Sequence, residues 1–251
     1  MHTKNEHIAV FDSGLGGISV LKELCKLMPQ EQYLYFGDSA NAPYGAKTTE
    51  EVRNLTLEAA EMLMSRHVKA LVVACNTATA AAINDLRERY PETIIVGIEP
   101  AVKLAADRCH GGTIGVMATP VTLREEKFNH LLERFSEEQI ISISAPELVS
   151  LIEAGESDDV IENYLRPILL PYKDKLDAVV LGCTHYPFAA DVIEKLLNTQ
   201  LLDGGAGTAR ETKRRLEEAG LLFEGPGEIQ MENSNPDPNL LQRAMELLKE
   251  E

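Results

Sequence analysis

Short apolar runs alternate with helix-period segments along nearly the whole chain. Ile8–Phe11, Tyr33–Phe36, Ala70–Ala74 and "TIIVGIEP" read as buried strands, and further runs follow at "TIGVMAT", "IISISA", Ala178–Leu181 and Leu201–Asp203. Between them, "ISVLKELCKLMP", "ATAAAINDLRERYP", "AVKLAADRCH", "TLREEKFNHLLERF" and "FAADVIEKLLN" space their apolar residues as one-faced helices do. "TTEEVRNLTLEAAEMLMSRHV" adds Thr48 or Thr49 as a cap, with acidic residues in its first turn. Such alternation predicts an α/β fold with mostly parallel sheets covered on both faces. "PELVSLIEAGESDDVIENYLRPILLPY" reads as a loop carrying Glu147 and Glu153, then more helix. After the helix "TARETKRRLEEAGLL", a Gly, Pro and Asn-rich stretch holds one strand before a final amphipathic helix from Asn239.

The pattern is written twice. "LVVACNTATA" delivers Cys75 at the end of an apolar run, and "AVVLGCTHYP" does the same for Cys183, 108 residues later. "IAVFDSG" from Ile8 matches "IGVMATP" from Ile114 at an offset of 106, and "YLYFGDS" from Tyr33 pairs loosely with "IISISAP" from Ile140 at 107. A near-constant offset of about one domain length indicates two duplicated halves. The expected division is residues 1–98 plus 208–251 for the first α/β domain and 99–207 for the second, with the C-terminal tail packing back on the first.

The 251 residues supply ample apolar material for a core, and no run approaches a membrane span. A formal net charge of −16 argues against nucleic acid or an anionic membrane as partner. The four cysteines lack CxxC spacing, and Cys183 with His185 offers two metal ligands where a structural zinc site needs four, so no metal is expected. The N-terminus enters a strand without a signal-peptide core, which suggests a cytoplasmic protein. Cys25 and Cys109 read as structural. "GLGG" from Gly14 lacks the spacing of a nucleotide loop, and reads as a tight turn whose helix-start amides can bind an anion such as a carboxylate.

Two related halves would put Cys75 and Cys183 on opposite walls of one cleft at the carboxyl ends of their strands. The same acid on both sides suits inversion of a stereocentre, in which one thiolate takes a proton from carbon and the opposed thiol returns one to the other face. An ordinary thiol is mostly protonated at neutral pH and wants an activating neighbour. Asp12 is the candidate relay for Cys75 and His185 for Cys183, while Ser13, Asn76, Thr77 and Thr184 could hold an amino acid's carboxylate. Two other classes compete: a cysteine amidohydrolase, which leaves Cys75 idle, and a two-lobed binding protein, which needs no thiol.

"VFDSGLGGISVL", "DSANAPYG", "ACNTATA" and "LGCTHYPF", in that order, resemble the cofactor-independent glutamate racemases of bacterial cell-wall synthesis. The resemblance implies two α/β domains with the site between them, no cofactor, and interconversion of L- and D-glutamate for peptidoglycan. It makes Cys75 and Cys183 the acid/base pair, and Asp12 with Ser13, Tyr44 with Gly45, Asn76 with Thr77, and Thr184 with His185 the substrate-binding pairs. "LVSLIEAGE" aligns Glu153 with a glutamate that assists the second thiol. Asn41 stands where the commoner family pattern has Arg. Aspartate racemases share the two-thiol plan, and a homodimer is compatible with this reading.

Overall fold

The computed structural model describes residues 2–119, 122–123 and 139–249. Two sheets carry the chain. The first contains β1 (Ile8–Asp12), β2 (Gln32–Gly37), β3 (Ala70–Val73), β4 (Ile94–Gly97) and β9 (Glu228–Asn233) in the order β4-β3-β1-β2-β9. The second contains β5 (Thr113–Ala118), β6 (Gln139–Ser144), β7 (Ala178–Gly182) and β8 (Gln200–Asp203) in the order β6-β5-β7-β8. All pairings are parallel. Counted within its own half, each sheet runs fourth, third, first, second strand, so the repeat legible in the sequence is a repeat of topology.

Helices α1 (Ile18–Leu27), α2 (Thr49–Met64), α3 (Asn76–Arg89), α4 (Val102–Cys109), α5 (Leu148–Glu153), α6 (Asp158–Leu169), α7 (Ala190–Leu197), α8 (Gly205–Glu218) and α9 (Pro238–Lys249) flank the sheets. Both faces of each central strand are buried, which is why these strands are continuous apolar runs. Along β1, Ile8 and Val10 enter one core with α1, α8 and α9, whereas Ala9 and Phe11 enter the opposite core with α2 and α3. In β7, Val179 and Leu181 face α5, α6 and α7, and Ala178 and Val180 face α4. The α2 start is a full capping box: Thr48 accepts from the Glu51 amide, and the Glu51 side chain accepts from the Thr48 amide.

The tail joins the first sheet, with β9 pairing to β2 from Gln32 opposite Glu228 to Gly37 opposite Asn233. Its helix α9 places Ala244 and Leu247 in the core shared with α1. At the amino-terminal edge of the same sheet, Lys69 is fully buried against Glu31 at 2.7 Å and also donates to the carbonyls of Lys4 and Leu221. The expected helix "TLREEKFNHLLERF" lies largely outside the described residues. Glu153 is the last residue of α5, not part of a loop as the sequence suggested. Helix α3 begins at Asn76, directly after Cys75.

In each sheet the strand order reverses beside the first strand of the half, between β1 and β3 and between β5 and β7. Crevices at the carboxyl ends of such reversals are where open α/β sheets bind ligands. Both thiols stand there, Cys75 two residues beyond β3 and Cys183 directly after β7.

Candidate active site

One cavity of about 200 Å³ is lined by both thiols. At about 30 Å³ per water this is room for six or seven waters, the scale of a small amino acid. From the first half come Ser13, Tyr44, Gly45, Cys75, Asn76 and Thr77; from the second come Thr119, Glu153, Cys183, Thr184 and His185. The cavity therefore gathers every residue anticipated for the site except Asp12, which is fully buried behind it. Among the described residues, no three His, Cys, Asp or Glu side chains cluster as metal ligands would.

The two sulfurs sit in unlike surroundings. Cys75 is the residue that caps α3, and its Sγ accepts from the Ala78 amide at 3.4 Å and lies 3.4 Å from Ser13 Oγ. A helix start and hydrogen-bond donors favour a thiolate. Burial and the nearby Asp12 carboxyl outweigh them, and the thiol is pushed up to about 12, with the Cys183 sulfur adding to the rise. Cys183 Sγ lies 3.8 Å from His185 Nδ1, and His185 Nε2 lies 2.8 Å from Glu153 Oε1. The same carboxylate oxygen accepts from the Leu15 amide at 2.9 Å.

Burial opposes a charge on His185, but its hydrogen bonds to Cys183 and Glu153 prevail and hold the imidazole well above its ordinary value. Burial likewise opposes ionisation of Glu153, yet His185 and the Leu15 amide hold it below the usual carboxylate value. Both shifts have one cause, the hydrogen bond between the imidazole and the carboxylate, and the other ring nitrogen faces the Cys183 sulfur.

The glycine loop explains how the halves approach so closely. A Cβ on Gly14 would collide with Glu153 Oε1, and one on Gly16 with the imidazole of His185. The loop does bind a carboxylate, the protein's own Glu153, but through the Leu15 amide, which precedes the N-cap Gly17 of α1 and is not one of the helix-start amides expected. Asp12, anticipated as the relay for Cys75, spends its oxygens on the Gly14 amide at 2.9 Å and on Thr184 Oγ1 at 3.0 Å. Burial raises its pKa, partly offset by His185 and these donors. Ser13 is the side chain hydrogen-bonded to Cys75 instead.

Thr77 Oγ1 meets Thr119 Oγ1 at 3.0 Å and Thr122 Oγ1 at 3.3 Å, a bridge of hydroxyls between the halves. Tyr44 donates to Asp38 Oδ2 at 2.7 Å, and Asn41 Nδ2 lies 3.0 Å from both Asp38 oxygens. Asn41 thus grips the Asp38 carboxylate with a neutral amide. Asn76 is buried, and among the described residues neither its side-chain oxygen nor its nitrogen has a partner. A buried amide is costly to leave unpaired, so its place on the cavity wall marks it for a ligand. Asp38, Thr119 and Thr122 are not singled out by the sequence; the motif "GDSANAPYG" and the end of the β5 run "TIGVMAT" were the available signal.

Two like α/β halves closing on one small cavity are the architecture of a racemase, and comparison with known proteins places the chain in that class. Residues 15–212 match the family described as Asp/Glu/hydantoin racemase. The chain is 48% identical over 256 residues to the glutamate racemase of Clostridium botulinum strain Alaska E43, covering 99% of each. Its fold superposes on the Thermus thermophilus glutamate racemase in complex with beta-chloro-D-alanine with a TM-score of 0.84 at 38% identity, over 99% of this chain and 94% of the other. The Francisella tularensis glutamate racemase bound to D-glutamate gives 0.87 at 28% identity, over 99% and 95%. The chain belongs to the Asp/Glu/hydantoin racemase family and is an isomerase.

Proposed function

We propose that this chain interconverts L- and D-glutamate by proton transfer at Cα between Cys75 and Cys183, without a cofactor. The observation that carries the reading is the pair of sulfurs on one small cavity, each at the equivalent strand end of its half. One thiolate removes the Cα proton: the C–H bond breaks, an S–H bond forms, and the electron pair stays on carbon. The opposed thiol then gives its proton to the other face. The substrate ammonium brings positive charge into a cavity where burial disfavours thiolate, and so lowers the cost of forming it.

His185, held by Glu153, is the proton-bearing neighbour of Cys183, and Ser13 with the Ala78 amide supports Cys75. The unpaired amide of Asn76 and the hydroxyls of Thr77 and Thr184 are suited to the α-carboxylate and ammonium, and Tyr44 and Gly45 form the facing wall. Water excluded from such a site strengthens these fixed dipoles as carbanion character develops. Glutamate is preferred over aspartate because relatives near 48% identity carry that name.

Among the described residues no helix is long and apolar enough to cross a membrane. We place the enzyme in the cytoplasm as a source of D-glutamate for peptidoglycan, and a homodimer is the assembly we expect. The test is a panel of L- and D-amino acids assayed by circular dichroism without pyridoxal phosphate. Both glutamate enantiomers should converge on the racemate; turnover of aspartate alone, or of neither, would contradict the assignment.

A further inference from the structure

Thr184 stands in sequence between Cys183 and His185, and the opposite half grips it at two points. Its hydroxyl donates to Asp12 Oδ2 at 3.0 Å, and its backbone carbonyl accepts from Ser19 Oγ at 2.9 Å. The second contact has a cause in the sequence. The short turn Tyr186–Ala189 closes on the carbonyls of Cys183 and His185, with Tyr186 N 3.1 Å from Cys183 O and Phe188 N 3.0 Å from His185 O. The residue three beyond Thr184 is Pro187, which has no N–H to offer. The Thr184 carbonyl is thereby left for a donor from outside, and Ser19, in the first turn of α1, supplies it.

We propose that Ser19 is a positioning residue for racemisation: its hydroxyl fixes the Cys183–Thr184–His185 segment against the first half and so sets the aim of the Cys183 sulfur. This rests on the two-thiol reading above. Ser19 does not line the substrate cavity; it opens onto a separate cleft of about 390 Å³ on the far side, beside Lys22 and Phe188. Gly16 O lies 2.9 Å from the same hydroxyl, so its single hydrogen divides between its own helix turn and the second half. In Ser19→Ala, water from the cleft can satisfy the Thr184 carbonyl, but it cannot tie that carbonyl to α1. The fold should survive while the geometry of one thiol loosens.

The consequence is directional. When Cys183 is the base, its step is the removal of the Cα proton; in the reverse direction it returns a proton after Cys75 has taken one. Weakening Cys183 alone makes proton removal more rate-limiting in the first direction and less so in the second. Primary deuterium isotope effects measured separately on 2-deuterated L- and D-glutamate should therefore move in opposite senses. The values of kcat/KM must fall equally in both directions, since two enantiomers have an equilibrium constant of one, and a drop of roughly tenfold is expected for a lost positioning hydrogen bond.

The experiment compares wild type, Ser19→Ala and Ser19→Thr, with thermal melts alongside. Opposed shifts of the two isotope effects at an unchanged melting temperature, restored toward wild type by Ser19→Thr, are the expected result. Unchanged kcat/KM, or isotope effects that shift together, would overturn the positioning role. Should Ser19→Ala fail to fold, Ser19→Cys carries the same comparison, because its thiol is a weak donor of similar shape. A wild-type chain that racemises neither enantiomer overturns the two-thiol reading itself, and the positioning role with it.

Discussion

Replacing Glu153 by Gln keeps an oxygen acceptor in place and removes only its charge. That oxygen takes two donors, His185 Nε2 at 2.8 Å and the Leu15 amide at 2.9 Å, with the carboxylate side chain 18% and the imidazole 4% exposed. Hydrogen bonds to a charged group contribute about 1.5–3 kcal/mol against about 1 for neutral ones, so the substitution should cost about 0.5–2 kcal/mol. At about 1.4 kcal/mol per pKa unit, His185 should titrate roughly one unit lower in the variant.

The sign of the pH dependence follows from both partners. His185 is raised above its ordinary 6.5, so its contribution is complete below 6.5 and is lost as pH rises through its folded value. Glu153 is lowered from 4.5, so its contribution is complete above 4.5 and is lost as pH falls through its folded value. The stability gap between wild type and Glu153→Gln should be widest between these ordinary values and narrow on both sides. Urea melts of both proteins from pH 5.5 up through the wild-type His185 titration, located on the ring by NMR, measure it. A gap that stays constant across that range, or a His185 titration identical in the two proteins, would refute the paired-charge account.

Gly16→Ala should lower kcat/KM more than about tenfold with little loss of secondary structure, because the added Cβ meets the His185 imidazole and displaces it from Cys183; steady-state kinetics and far-UV circular dichroism check this. Cys75, raised to about 12 chiefly by burial and then by Asp12, should react slowly with iodoacetamide in the substrate-free enzyme, at a rate rising roughly tenfold per pH unit from 7 to 9. Peptide mapping of the alkylated residue gives the rate, and a flat profile over that range would contradict the assigned environment.

The parts of this molecule legible in sequence are those written locally. Continuous apolar runs announced β1, β3 and β7 because strands buried on both faces have no polar positions to blur them, and the recurrence of Cys after such a run exposed the duplication. Glu153 reads as a loop residue in sequence because α5 is only six residues long and its burial comes from contacts with α6 and the core rather than from a long periodic stretch. The start of α3 at Asn76 was hidden because Cys75 replaces the usual oxygen-bearing cap. The contacts of Asp12 with Thr184 and of Leu15 with Glu153 join residues 172 and 138 positions apart, and no spacing rule reaches that far. The glycines of "GLGG" showed a turn in sequence; that two of them leave room for Glu153 and His185 is visible only once the halves meet.

The central claim is that two opposed sulfurs, each serving one face of the carbon, carry the reaction. Turnover of L-glutamate in D2O, stopped at low conversion, tests it directly when both the D-product and the recovered L-substrate are analysed for label at Cα. The account predicts solvent deuterium in the product and little in the recovered substrate, with racemisation abolished in Cys75→Ser and in Cys183→Ser. Label appearing equally in both enantiomers from the start, or a cysteine variant that racemises at the wild-type rate, would contradict it.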